Sequence, residues 1–239
     1  MKSVHLKLNG TLVGGIDEAG RGPVLGPLVL CIALCEKGKE SFLRGIGVKD
    51  SKMVPPGKRE ELAKEIKKHC HIHVQKVTAK EINALMRKGV SLNEIEAMFV
   101  SKALAEVEPE IVKQIDKIYA DAPDPDANRF THRIKSHLPV DSEIGSKVHS
   151  SHKADVIYPA ASAASIIAKV TRDDEIEKIK KEIGCDFGTG YPHDEMTISC
   201  IKENIDNPVL MKYLRTEWST AKRLIAEAKF KTKQVRLDF

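Results

Sequence analysis

Gly14-Gly15-Ile16-Asp17-Glu18-Ala19-Gly20-Arg21-Gly22-Pro23 is the stretch from which the rest of the chain can be read. Residues 12–17 form a short apolar run that reads as a buried strand, so two acids stand at its end and a Gly-Arg-Gly turn follows. A carboxylate at that position is unfavourable unless a cation compensates it, which makes a metal ligand a sensible reading. Successive strand side chains point to opposite faces, so Asp17 and Glu18 cannot both aim at one ion unless the strand ends or bulges between them. Asp17 is therefore the expected central ligand. An adjacent Asp-Glu pair is more commonly a solvated turn, but the glycines on both sides let another backbone approach closely and weaken that alternative.

The same arrangement recurs at Ile118-Tyr119-Ala120-Asp121, where an acid again closes an apolar strand as a loop begins. If the two strands are parallel neighbours, Asp17 and Asp121 meet at their C-terminal ends, where open α/β sheets usually place their sites. Asp124 and Asp126, a few residues on, read as plain surface acids of a loop. A third acid, Asp155 in His152-Lys153-Ala154-Asp155, precedes a long helix expected over 160–183. Capping that helix is its ordinary role, since the helix dipole favours a negative charge there. The small residues 160–165 imply that the helix packs tightly on another element, and Lys169 and Arg172 follow on one of its faces, ready for a phosphate or an acid. Three carboxylates gathered at one end of a sheet suit two hard divalent cations about 4 Å apart, the arrangement that activates water and stabilises the leaving oxygen in phosphodiester cleavage.

Strands are expected over 12–17, 24–36, 71–77, 115–120 and 143–149, with helices between and after them. That order indicates an α/β sandwich with a mixed sheet covered on both faces. The clearest boundary lies near Asn207-Pro208, dividing a catalytic domain of 1–207 from a small helical segment and tail of 208–239. Lys and Arg outnumber Asp and Glu by 39 to 34, an excess compatible with a polyanionic partner. Five cysteines without CxxC spacing are expected to be reduced thiols of a cytoplasmic protein rather than a zinc site or a disulfide framework. The alternating His69, His71 and His73 could face a metal together, but read better as the polar side of a half-exposed strand. No run approaches the roughly 18 apolar residues of a membrane span, and the N-terminus does not read as a secretion signal. GxxxxGK[ST], HExxH and GxSxG are all absent, which leaves ATP hydrolysis, zincin and serine-hydrolase chemistry unsupported.

Taken together, Gly15-Ile16-Asp17-Glu18-Ala19-Gly20-Arg21-Gly22-Pro23, Lys49-Asp50-Ser51-Lys52, Tyr119-Ala120-Asp121, Lys153-Ala154-Asp155, Ala163-Ala164-Ser165-Ile166-Ile167-Ala168-Lys169-Val170 with Arg172-Asp173, and Gly190-Tyr191-Pro192 resemble ribonuclease HII, in that family's order. Residues 158–165 resemble its archaeal branch. The resemblance implies an RNase H-like fold and hydrolysis of the RNA strand of RNA–DNA hybrids, with cutting at ribonucleotides embedded in duplex DNA. It implies Asp17, Glu18, Asp121 and Asp155 as active-site carboxylates, two Mg²⁺ or Mn²⁺ ions, and products with 3′-hydroxyl and 5′-phosphate ends. By the same resemblance, Gly20, Arg21 and Gly22 sense the 2′-hydroxyl, and Tyr191 packs on the sugar of the next, DNA-type residue. Lys49, Ser51, Lys52, Lys169 and Arg172 contact phosphates. The C-terminal Gln234-Val235-Arg236-Leu237-Asp238-Phe239 resembles a sliding-clamp-binding peptide, though a single Phe comes one position early. A junction-resolving nuclease of similar fold and a non-catalytic hybrid-binding protein are the competing readings. The Gly-Arg-Gly turn and Tyr191 speak against the first, and the intact set of acids against the second.

Overall fold

The computed structural model describes residues 10–49 and 51–237, of which 231–237 are described as backbone alone. Among the described residues five strands, β1 (Leu12–Ala19), β2 (Leu28–Glu36), β3 (Cys70–Val77), β4 (Ile115–Asp121) and β5 (Val148–Ser151), form one sheet in the order β3-β2-β1-β4-β5. β1 runs antiparallel to β2 and parallel to β4, and β4 runs parallel to β5, so the sheet is mixed, as expected. In β2, Val29, Cys31, Ala33 and Cys35 join a core with the helices Pro56–His69 and Pro159–Ile183. Leu30, Ile32 and Leu34, which point the other way, are equally buried, so both faces of the sheet are covered at β2.

Two expected strands are placed differently. β2 begins at Leu28 rather than 24, because Pro27 has no N–H for the ladder and Gly26 takes a left-handed φ of +89°. Residues 143–149 divide into a short helix, Glu143–Ser146, and the start of β5. Ser142 caps that helix by accepting from the Gly145 N–H, at 3.3 Å.

The chain forms two compact units. The first contains the described residues up to Ala19 with Val29–Lys76 and Leu92–Thr171, and holds the sheet. The second contains Gly20–Leu28, Val77–Ser91 and the described residues from Arg172 onward, around a core that includes Leu25, Ile176, Phe187, Ile201, Leu214 and Leu224. The boundary expected between 207 and 208 falls inside this second unit.

The cysteines correct the sequence reading. Cys35 pairs with Cys70 and Cys185 with Cys200 as disulfides, and Cys31 is the free, buried thiol. Neither pairing could be seen in the spacing. Cys35 ends on β2 and Cys70 opens the neighbouring β3, so strand order brings together residues 35 apart in sequence. Among the described residues no helix is long and apolar enough to cross a membrane.

Candidate active site

The reason for the paired glycines is steric. A Cβ on Gly15 would overlap the backbone of Ala160 and Ala161, and one on Gly14 would press on Ile118 and Leu34. The first turn of the helix Pro159–Ile183 therefore lies directly on β1, which explains its run of small residues. One turn further along that helix, the Ser165 hydroxyl hydrogen-bonds the Asp17 carboxylate and shares a 2.9 Å hydrogen bond with Ser51 Oγ. Ser51, expected to touch phosphate, is itself buried in this chain of hydroxyls. In the sequence Ser165 reads only as one of the residues of the helix expected over 160–183. A hydroxyl in an otherwise apolar run was the signal that it had a partner.

β1 and β4 are parallel neighbours, with Gly15 opposite Tyr119 and Ile16 opposite Ala120. Asp17 and Asp121 are the next residue on each strand, so the two acids stand side by side; Asp121 ends β4, whereas β1, expected to end at Asp17, continues beside β2 to Ala19. Asp17 is buried and accepts the Glu18 N–H at 2.7 Å, while Glu18 stands on the other face and is partly exposed. Asp121 is held by the opening of the Lys153-Ala154-Asp155 segment. The Ala154 N–H donates to its Oδ1 at 2.8 Å, and the Lys153 N–H points to the same carboxylate. Lys153 adopts a left-handed φ of +56°, unusual for a residue with a side chain, and it turns the chain so that both amides face Asp121. Asp155 follows in the short helix Ala154–Ile157, buried, with its carbonyl accepting from Ser162 Oγ at 2.5 Å.

The electrostatics are those of a site short of positive charge. Burial, reinforced by the Glu18 charge and by Asp121, holds the Asp17 carboxyl well above the usual carboxylate range. Burial also raises Asp121, opposed by the Ala154 amide and by the charges of Lys52 and His152. No three His, Cys, Asp or Glu side chains among the described residues close on one point as a ready-made metal cage. A hard ion such as Mg²⁺ does not require one, since one or two carboxylates usually hold it while water and substrate phosphate supply the other oxygens. The donor set, all oxygen and unfavourably charged when empty of cations, fits such an ion.

The other expected residues are distributed as follows. Lys49 and Lys52 are exposed and Lys169 is half-buried; Asp50, between the first two, lies outside the described residues. Asp124 is no surface acid: it is buried, accepting from Asn93 at 2.7 Å and from Arg133 at 3.2 Å, while Asp126 caps the helix Ala127–Ser136. His69 ends a helix and contacts Glu65, outside the strand that carries His71 and His73. In the second unit Gly20 has a φ of +85°, and a Cβ there would overlap the Arg172 side chain. Arg172 is buried rather than solvent-facing, and its Nε has no hydrogen-bond partner among the described residues. The Tyr191 ring is 37% exposed and lies 3.2 Å from where a Cβ on Gly22 would be.

Comparisons with known proteins show the family. A family model described as Ribonuclease HII matches residues 14–221. This chain belongs to the ribonuclease HII family. It is 44% identical to the ribonuclease HII of Pyrococcus abyssi over 230 residues, covering 95% of this chain and 96% of that one. Among solved structures, the ribonuclease H2 from Pyrococcus horikoshii OT3 matches with a TM-score of 0.76 and 41% identity, over 91% of this chain and 98% of that one. The ribonuclease HII in a PCNA complex from Archaeoglobus fulgidus matches with a TM-score of 0.74 and 38% identity, over 87% and 95%. As a ribonuclease HII, the protein is an endoribonuclease that hydrolyses the RNA strand of RNA–DNA hybrids.

Proposed function

We propose that the enzyme cuts at ribonucleotides embedded in duplex DNA as well as within longer hybrids, leaving 3′-hydroxyl and 5′-phosphate ends. The observation that carries this reading is the pairing of Asp17 and Asp121 on neighbouring parallel strands, two acids whose burial and mutual repulsion a bound cation would relieve. Asp17, Asp121 and Asp155 would together hold two Mg²⁺ or Mn²⁺ ions. Divalent ions there supply charge for the leaving oxygen and lower the pKa of the attacking water. Glu18, on the opposite face, would take part through its main-chain oxygen or by orienting water. Ser165 fixes the Asp17 carboxylate, and the amides of Lys153 and Ala154 fix that of Asp121, so neither has to reorganise when the ions and substrate arrive.

Recognition falls to groups that need no titration. Gly20, Arg21 and Gly22 would present main-chain groups to the 2′-hydroxyl, the feature that separates RNA from DNA. Tyr191, exposed beside Gly22, would pack on the following deoxyribose. Lys49, Lys52 and Lys169 would meet phosphates, and Ser51 and Arg172, both buried, would do so only from beneath the surface they support. Cytoplasmic location fits this role in replication and repair. The deciding assay compares an RNA–DNA hybrid, a duplex with one ribonucleotide, an all-RNA duplex and an all-DNA duplex in Mg²⁺. Cleavage of the first two alone is expected; cutting of the all-DNA duplex would defeat the reading.

A sliding-clamp interaction through residues 234–239 is the second proposal. It is supported by the Archaeoglobus fulgidus relative, solved as a complex with PCNA. The side chains of those residues lie outside the described ones. Deleting residues 234–239 should abolish binding to an immobilised clamp and leave hybrid cleavage unchanged; unaltered clamp binding would refute it.

A further inference from the structure

The Gly20-Arg21-Gly22 turn is held from one side by a segment almost two hundred residues later. Arg215 is fully buried, and its guanidinium donates to three carbonyls: Nη2 to Gly20 at 2.7 Å, Nη1 to Arg21 at 2.9 Å and Nε to Gly26 at 3.0 Å. Trp218 Nε1 donates to the Gly22 carbonyl at 3.1 Å, and the Arg215 guanidinium lies over the Trp218 ring at 5.0 Å. The backbone repeats the attachment, with Arg215 N–H donating to Val24 O at 2.9 Å and Gly26 N–H to Tyr213 O at 3.0 Å. Every carbonyl of the Gly-Arg-Gly turn is thus taken by one short stretch, 215–218.

This arrangement fixes the direction of the turn's donors. In a planar trans peptide the C=O and the N–H point in opposite directions, and none of the described peptides is cis. With the Gly20 and Arg21 carbonyls drawn toward Arg215, the N–H groups of Arg21 and Gly22 are turned the other way. Pro23 has no N–H to add. Glycine at 20 and 22 keeps the flanks of those amides free of bulky side chains, and Gly20 itself takes a left-handed φ of +85° as the chain enters the turn.

We infer that Arg215 and Trp218 are positioning residues for ribose recognition. By binding the carbonyls of residues 20–22 they hold the main-chain donors of the turn in the orientation that discriminates a 2′-hydroxyl from a 2′-hydrogen. Their role would be exerted through the turn, whose carbonyls they bind. A hydrogen bond distinguishes two ligands only when its donor is fixed beforehand, because a mobile turn would turn away from the deoxyribose and meet the ribose with equal ease. The inference rests on the proposal that the Gly-Arg-Gly turn reads the 2′-hydroxyl.

Trp218→Phe tests it with the smallest disturbance, because it keeps the ring over Arg215 and deletes a single donor. Arg215→Lys removes the fork and should act in the same direction more strongly. Two duplexes of one sequence are compared, one all DNA and one with a single ribonucleotide. Affinities are measured by anisotropy with Ca²⁺ replacing Mg²⁺, and kcat/KM for the second duplex is measured in Mg²⁺. The wild type should prefer the ribonucleotide duplex. In Trp218→Phe that preference should shrink by about fivefold, the size of one hydrogen bond, with affinity for the all-DNA duplex unchanged and kcat/KM falling in step. Equal loss of affinity for both duplexes, or an unchanged preference, would overturn the positioning role and leave turn recognition standing. A wild type that shows no preference would instead bring down the recognition reading itself, and the positioning role with it. Should Arg215→Lys fail to fold, Trp218→Phe alone decides.

Discussion

The acids near the end of β1 and the turn that follows them are neighbours in sequence and opposites in physics. Asp17 is buried beside another acid, with one hydroxyl and one amide as partners, and it carries a charge that its surroundings disfavour. The carbonyls of Gly20, Arg21 and Gly22 are each matched by a guanidinium or indole donor, so that stretch is electrically satisfied and held in place. The difference separates two tasks. In the proposed function, the acid that would attract cations is kept short of positive charge, whereas the turn that would judge a ligand's shape is fixed before the ligand arrives.

The largest effect should come from the acid side. Asp17→Asn is expected to lower hybrid cleavage by about 10³-fold or more, as for loss of a group whose charge stabilises the transition state; turnover within tenfold of wild type would break the comparison. The same substitution should raise thermal stability in EDTA. The folded pKa of Asp17 lies above its unfolded value, so the protonated form favours folding, and that advantage is lost as pH rises through the raised pKa. In metal-free buffer the wild type should therefore fall behind Asp17→Asn as pH increases from about 4, the ordinary carboxylate range. Equal melting temperatures at pH 7 would mean that the carboxylate is not destabilised.

The two units carry one disulfide each, and reduction should weaken them unequally. Cys35–Cys70 closes a loop of 35 residues and Cys185–Cys200 one of 15, worth about 4 and about 3 kcal/mol in the chain-entropy model. Urea unfolding of Cys35→Ser and Cys185→Ser checks the order, and thiol titration of the unfolded, unreduced wild type should find Cys31 alone. Five reactive thiols would restore the expectation of reduced cysteines. Gly15→Ala should be destabilising by about 3 kcal/mol, since its methyl group meets helix backbone that cannot give way as a side chain can. Trp218→Phe is the smallest change. It should lower stability by about 1 kcal/mol or less, as one partly exposed hydrogen bond does, while eroding discrimination between ribonucleotide and deoxyribonucleotide.

The fold was legible wherever a local pattern had one reading. An acid after an apolar run marked the end of β4 and the neighbouring position on β1, and the glycine pair with the 160–165 small residues foretold the close approach of strand and helix. Ordered motifs then carried the family. What stayed hidden depended on partners far along the chain. Arg215 and Trp218 sit in a helical-looking C-terminal stretch, and nothing local distinguishes a guanidinium that will be buried from one that will be solvated. Asp124 was misjudged for the same reason, because its partners Asn93 and Arg133 come from two separate helices. Ser51 and Ser165, 114 positions apart, share one hydrogen bond that only the folded chain creates.

Ion counting tests most directly whether the shortage of positive charge around Asp17 is what gathers catalytic cations. Mn²⁺ can be titrated into the protein bound to a hybrid made uncleavable by 2′-O-methylation of its RNA strand, with free Mn²⁺ followed by electron paramagnetic resonance. Two ions per protein are expected for the wild type and at most one for Asp17→Asn. Two tightly held ions in the variant, or fewer than two in the wild type, would contradict it.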